Sequence, residues 1–285
     1  MQIIPSRDKK MILTGVKTQN MKILLYLAGA AMAIMVVSCS SRPEYSLVWQ
    51  DEFNYEGLPD SSKWSYDVSG NATGWGNNEA QFYTIARPEN VNVSDGKLII
   101  TAIKEPISGK NYSSARLRTK GKGDWKYGKF EIRAKLPAGR GIWPAIWMFP
   151  STNDYGNWPS GGEIDIMEHV GYMPDSVFCT IHTEAFNHLK NTQVSKSSYV
   201  PDCDNKFHIY TMEWDSTAIS FFVDQNEVLT FTHHGGTYKE WPFDKPFHLI
   251  MNIAVGGYWG GKEGIDTTIF PQEMIVDYVR VYKRM

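Results

Sequence analysis

Cysteine is scarce: the 285 residues contain three, Cys39, Cys179 and Cys203. So few thiols exclude a framework of disulfides, and the fold must rest on a buried core. Charge is nearly balanced, with a formal net of −2 at pH 7. That removes the electrostatic footprint of a nucleic-acid binder, and of a protein held to an anionic membrane surface by charge. Helical apolar periodicity is missing from every long stretch, as are internal repeats and low-complexity tracts. Helical bundles and solenoids are thereby set aside. Long apolar runs are also lacking. The fullest one follows Lys22 and covers the fifteen uncharged residues 23–37, short of the ~20 that a spanning helix needs.

That run has the length of the apolar core of an export signal. It ends Val36-Val37-Ser38-Cys39, followed by Ser40 and Ser41, and so resembles the lipobox of a bacterial lipoprotein signal. The resemblance implies that residues 1–38, an N-terminal extension and signal peptide, are removed and that Cys39 carries lipid. The protein would then reside in the cell envelope, at the outer membrane facing periplasm or surface, and touch the membrane only through this anchor. Met21 offers an alternative start beyond the polar, basic residues 1–20. The remainder, 39–285, shows no linker and reads as a single domain. Its Cys179 and Cys203 are expected to be unpaired.

What the chain has in quantity is aromatic residues, 13%, including ten Trp and fifteen Tyr, with turn-forming Gly and Pro scattered throughout. Between Tyr45 and Tyr282 the pattern is β almost everywhere. Val91 and Val93, then Ser94-Asp95-Gly96, then Leu98 and Ile100 predict a hairpin. Phe130, Ile132, Ala134 and Leu136 alternate with Glu131, Arg133 and Lys135. Residues 219–223 and 228–231 flank a polar turn at Asp224-Gln225-Asn226. His248 to Val255 is nearly all apolar, as in a strand buried on both faces. Ile275, Asp277, Val279 and Val281 alternate with Val276, Tyr278, Arg280 and Tyr282, which assigns each set to one face. Many antiparallel strands in about 245 residues predict an all-β protein. The expected architecture is an antiparallel β-sandwich, a concanavalin A-like jelly roll with an open substrate cleft.

One segment points to chemistry: Glu163-Ile164-Asp165-Ile166-Met167-Glu168. On a strand, Glu163 and Asp165 share a face and the isoleucines take the other. A β-bulge near Met167 would return Glu168 to the carboxylate face. Clustered acids repel and add nothing to stability, so they call for a functional account. Two glutamates with a helper acid equip a glycoside hydrolase, retaining at a carboxyl separation of about 5–5.5 Å and inverting at about 6.5–9.5 Å. Four effective strand steps separate the two backbones by about 13 Å, which long side chains can close. Just upstream, Trp143 and Trp147 are four residues apart and face the same side, where two indoles form a platform for sugar rings.

Together these segments resemble glycoside hydrolase family 16, and within it the laminarinase-like β-1,3-glucanases. The likeness extends over nearly the whole domain. It includes residues 49–53, Asn77-Asn78-Glu79, Ser114-Ala115-Arg116, residues 141–148 and 162–168, Thr180-Ile181-His182-Thr183, Trp259-Gly260-Gly261 and residues 276–282. It implies that Glu163 is the nucleophile, Glu168 the acid/base, and Asp165 the residue that hydrogen-bonds the nucleophile. Trp143, Trp147 and His182 would line the cleft, with His182 near the acid/base. Asn78, Arg116 and Trp259 would bind sugar. No cofactor is implied for catalysis. A structural calcium ion is implied at Glu52, Gly96 and Asp277, since carboxylate and carbonyl oxygens suit a hard cation. The expected partner is a β-glucan polysaccharide, with no nucleic acid, and the expected state is a monomer.

The resemblance leaves rivals. The same fold and mechanism serve mixed-linkage β-1,3-1,4-glucan or a galactan such as agarose or porphyran. Transfer to an acceptor sugar instead of water uses the same chemistry. A non-catalytic glucan-binding protein would need the aromatic platform but not Glu163, Asp165 and Glu168.

Overall fold

The computed structural model describes residues 44–285. The expected signal peptide, the expected lipidation site Cys39 and the alternative start Met21 lie outside the described residues. Among those described, the chain forms two antiparallel-dominated sheets and two short 3-10 turns, at Asn71–Gly76 and His188–Lys190. The main path of the larger sheet runs β16 (Asn226–Thr232), β15 (Ala218–Val223), β14 (His208–Trp214), β9 (Gly128–Lys135), β18 (Gln272–Arg284), β5 (Lys97–Ile107), β6 (Lys110–Ser114) and β3 (Gln81–Tyr83). To it are added β1 (Tyr45–Asp51) on β18 and β4 (Val91–Ser94) on β5. The smaller sheet runs β13 (Val194–Tyr199), β12 (Ser176–His182), β11 (Glu163–His169), β10 (Ile142–Pro150), β17 (Phe247–Val255), β7 (Arg116–Arg118) and β2 (Ser65–Tyr66), with β8 (Asp124–Trp125) also on β17. This is the expected β-sandwich.

Alternation in the sequence explains how the two sheets share one core. In β9, Phe130, Ile132 and Ala134 are fully buried, while Glu131, Arg133 and Lys135 are partly exposed. They meet Ile142, Ile146 and Met148 of β10 and Leu249, Met251 and Ile253 of β17 in a single apolar cluster. Each such fully buried large side chain contributes about 1.5–3 kcal/mol. The β4–β5 hairpin turns at Asp95 and Gly96, both at positive φ (51° and 69°), the turn type that matches strand twist. Cys179 and Cys203 are free and buried, as expected.

One expectation is met and another needs correction. β17 is buried along its whole length, on both faces as expected: one face enters the core and the other, with His248 and Asn252, lies under the side chains of the cleft. In β18, a bulge between Val276 and Tyr278 breaks the alternation read from the sequence. Met274 and Val276 point inward before it, and Val279 and Val281 after it, so Ile275 and Asp277 lie on the opposite face from Val279.

The strand pairing on β18 changes beside that bulge. β9 covers one edge of β18 over Ile275–Tyr282. On the other edge β5 pairs with Gln272–Val276 and β1 with Val279–Arg284. The two strands therefore meet end to end, leaving a gap opposite Asp277 and Tyr278. Gly96 leads into β5 and Glu52 leaves β1 beside this gap, so the three residues expected to hold calcium are brought together.

Candidate active site

The acidic strand β11 sits between β10 and β12 on the face away from the core. Its register supplies the bulge that the sequence required. Ala145 pairs with Glu168 and Ile146 with Met167, but Trp147 pairs with Asp165, so Ile166 is the extra residue. Across the other edge, Asp165 faces Thr180 and Glu168 faces Phe178. Ile164, Ile166 and Met167 all enter the core, and Glu163, Asp165 and Glu168 emerge together into a cavity of about 460 Å³. Gly162 fixes the approach to Glu163. Its φ is +86°, and a Cβ there would lie 2.7 Å from the Pro242 ring and 2.9 Å from that of Phe243, so a side chain is excluded on both counts.

The floor comes from β10 and β17. Trp143 Nε1 donates to Glu168 Oε1 at 3.1 Å, and Trp147 Nε1 donates to Asn252 Oδ1 at 2.8 Å. Asn252 in turn donates to the buried Tyr83 hydroxyl at 3.0 Å. The Arg116 guanidinium lies between two indoles, 4.2 Å from the Trp75 ring centroid and 4.6 Å from that of Trp147. Trp259 packs edge-on against Trp143, with centroids 5.4 Å apart, and against Phe178 at 5.1 Å, and it is not among the residues that line the cavity.

All three acids hold their protons more tightly than free carboxyls. Burial, then the Glu168 charge, push Glu163 up to about 8, while the nearby Arg116 cation opposes the shift. Burial pushes Glu168 up to about 7 against the Trp143 hydrogen bond. Burial, then Glu168 and Glu163, raise Asp165 well above the carboxylate range. The two glutamates titrate as a set that shares one charge, and neither value belongs to one residue; taken singly, their order would ionise Glu168 first. Arg116 favours that charge on Glu163, and no cation attends Glu168. One carboxylate and one carboxylic acid in a cleft can attack an acetal carbon and protonate its leaving oxygen.

A profile described as glycosyl hydrolases family 16 matches residues 78–280. The chain belongs to this family. It is 55% identical to a beta-glucanase of Rhodothermus marinus, over 85% of this chain and 86% of that protein. Its fold is similar to the X-ray structure of the laminarinase from Rhodothermus marinus, at TM-score 0.83 and 54% identity, over 85% of this chain and 99% of that one. It is also similar to SCLam, a non-specific endo-β-1,3(4)-glucanase of the same family, at TM-score 0.81 and 46% identity, over 86% and 95% of the two chains.

Within the family 16 cleft, Glu163, Asp165, Glu168, Arg116, Trp143 and Trp147 lie where the sequence led us to expect. His182 does not. It pairs with Glu163 across β12, and its Nε2 lies 3.8 Å from Glu163 Oε1 and 3.6 Å from Asp165 Oδ2. Strand register thus puts it at the nucleophile end of the cluster, not by the acid/base. Burial, then His188, push its imidazole down to about 4, so it stands there uncharged. Asn78 is exposed at φ +55°, and its neighbour Asn77 takes the cleft wall, donating to the buried Glu79 at 3.3 Å. Trp75, Trp158 and His188 also line the cleft and were not anticipated. Each sits in a loop or 3-10 turn, where no strand alternation marks a facing side.

At the β18 gap, the Glu52 carboxylate is forked by Arg280 at 2.7 and 2.9 Å. Asp277 Oδ2 takes a bond from Arg133, and Asp277 Oδ1 has only Lys97 at 3.9 Å. The main-chain oxygens of Glu52 and Gly96 accept no turn or loop hydrogen bond among the described residues. Carbonyl and carboxylate oxygens are the donors a hard cation takes, and here three of the four carboxylate oxygens are already held by Arg280 and Arg133.

Proposed function

We propose that this chain is an endo-acting, retaining β-1,3-glucanase that cuts laminarin-type polymers, with Glu163 as nucleophile and Glu168 as acid/base. The observation that carries this is the Ile166 bulge, which places three carboxyls over an aromatic floor in an open groove. In the first step Glu163 attacks the anomeric carbon while Glu168 gives its proton to the departing oxygen. In the second, Glu168 takes a proton from water, and the water oxygen displaces Glu163. Asp165, raised and protonated, has a buried Oδ2 with no hydrogen-bond partner and so would be free to donate toward the nucleophile, and the neutral His182 completes that pocket without adding charge. Trp143 and Trp147 carry the sugar faces, and Arg116 and Asn77 meet hydroxyls. The likeness to SCLam supports mixed-linkage glucan as a second substrate.

The test is reducing-sugar release from linear β-1,3-glucan, with Glu163→Gln and Glu168→Gln beside the parent. Activity in the parent that falls at least about 10³-fold in both variants is expected. A folded parent that releases sugar only from a galactan would move the substrate, and unchanged variants would remove the residue roles.

Two further readings belong to the same proposal. A calcium ion at Glu52, Gly96 and Asp277 would join the ends of β1 and β5 to β18 and act only on stability. Lipid on Cys39 would hold a monomeric enzyme in the cell envelope. Both rest on the resemblance, and labelled fatty acid incorporated by the parent but not by Cys39→Ala tests the second.

A further inference from the structure

A second hollow of about 370 Å³ adjoins the catalytic cavity, with Trp75, Arg116 and Phe149 lining both. The floor of this hollow is the strand that carries Arg116. Residues two apart on a strand face the same side, which aims Arg116 and Arg118 of β7 into it, and Lys120 in the turn that follows lines it as well. Against these three cations stands one carboxylate, Asp67. Its Oδ2 lies 3.4 Å from Arg116 Nε and 3.2 Å from an Arg118 terminal nitrogen, so a single acid is divided between two guanidiniums. His248 adds no charge of either sign: burial, then Lys120, Arg118 and Arg116, push its imidazole down to about 3. At the catalytic end Arg116 also faces Glu163 and the buried Glu79, whose charges act on it, so the cations left short of an acid are Arg118, which shares Asp67, and Lys120.

The three cations differ in freedom. Arg116 is fixed between Trp75 and Trp147. Arg118 is 30% exposed at its side chain, and its Nε is buried without a hydrogen-bond partner. Lys120 is exposed, forms no ion pair among the described residues, and also lines the neighbouring hollow of about 390 Å³ beyond Phe149. A neutral glucan would leave this excess positive charge unmatched. A guanidinium fork beside an ammonium is suited to a planar carboxylate or a sulfate ester.

We propose that this arm of the cleft is a subsite for an anionic substituent, with Arg118 and Lys120 as the residues that select it, so that the enzyme takes β-glucans bearing carboxylate or sulfate groups as well as neutral ones. This rests on the β-1,3-glucanase reading of the catalytic end. The anion sits on a sugar removed from the scissile bond, clear of Glu163 and Glu168. It therefore acts on binding and leaves the chemical step alone.

The test compares kcat/KM on linear β-1,3-glucan, its carboxymethylated form and its sulfated form, for the parent protein and the Arg118→Gln/Lys120→Gln variant. On neutral glucan the variant keeps its rate within about twofold, while on the anionic form that fits, it loses about tenfold, through KM. Added NaCl at 0.5 M erases most of the parent's advantage on that polymer and spares the neutral one, because a partly exposed charge contact is screened. A loss confined to one anionic polymer identifies whether carboxylate or sulfate is the ligand. Equal losses on all three polymers, no loss on any, or failure of the parent to cut either anionic form would each overturn the proposal. No cleavage of neutral glucan by the parent would instead defeat the glucanase reading beneath it.

Discussion

The Cys179 thiol donates to the main-chain carbonyl of Ile166 at 3.2 Å. That carbonyl belongs to the bulge residue, which has no partner in either strand register. Cys179 lies between Phe178 and Thr180, the partners of Glu168 and Asp165, so it faces the bulge directly. Burial raises its ionisation far above the ordinary thiol range, so it stays protonated and able to donate. Cys179→Ser keeps a donor and should keep activity. Cys179→Val leaves a buried carbonyl unpaired and should cost about 1–3 kcal/mol of stability. With Glu168 held less firmly, kcat should fall about tenfold while KM holds. Chemical denaturation and steady-state kinetics of the two variants read this. Serine and valine behaving alike would show that the bond does not matter.

Arg116 is the one cation that lowers Glu163. Removing it as Arg116→Gln withdraws stabilisation from the Glu163 carboxylate, so Glu163 holds its proton to higher pH. The acid limb of kcat/KM, where the nucleophile must lose that proton, should move up by about one pH unit. The alkaline limb, set by loss of the Glu168 proton, should stay. A pH profile on a soluble β-1,3-oligosaccharide decides it, and a downward or absent shift of the acid limb would contradict the assigned role.

Attack by Glu163, then by water from the opposite face that the leaving group has vacated, inverts the anomeric carbon twice and so restores its original configuration. The first sugar released should therefore be the β anomer, and mutarotation should follow it. Proton NMR within the first minutes of reaction distinguishes the outcomes. An α anomer appearing first would mean that the two carboxyls flank a water and invert.

If calcium occupies the β18 gap, it binds only the folded chain and adds stability by mass action. Millimolar CaCl2 should raise Tm over an EDTA-treated sample by about 3–8 °C. Asp277→Asn should abolish that difference, whatever it does to the baseline through its bond to Arg133. Activity at 25 °C should be the same with and without the ion. Equal Tm values for the parent in both buffers would leave Arg280, Arg133 and Lys97 as the only partners of these acids.

The Glu163–Glu168 bulge was legible because three acids spaced over six residues cannot share a face without an extra one. The β18 bulge was not, since Ile275, Asp277, Val279 and Val281 alternate cleanly in sequence. It lies where β5 and β1 meet end to end beside β18, a pairing that no local pattern encodes. His182 was assigned to the wrong acid for a similar reason: its partner is fixed by the register between β11 and β12. The clamp of Trp75 and Trp147 on Arg116 joins three distant segments. The choice of Asn77 over Asn78 depends on a backbone turn through Trp75, Gly76 and Asn78, all at positive φ.

The two floor tryptophans make opposite use of one chemical group. The Trp143 indole N–H bonds Glu168, and that of Trp147 bonds Asn252. A hydrogen bond donated to a carboxylate favours its charged form. In Trp143→Phe the ring remains to carry sugar, but Glu168 loses that support and holds its proton to higher pH. The alkaline limb of kcat/KM should move up by about half a unit to one unit, and kcat should drop a few-fold as Glu168 loses orientation. Trp147→Phe removes an N–H that touches no acid. It should leave both limbs in place and act through KM, because Asn252 and the rings around Arg116 shift. Matched pH profiles of the two variants separate an indole that tunes the acid from one that shapes the groove. An unmoved alkaline limb in Trp143→Phe would show that burial alone keeps Glu168 protonated.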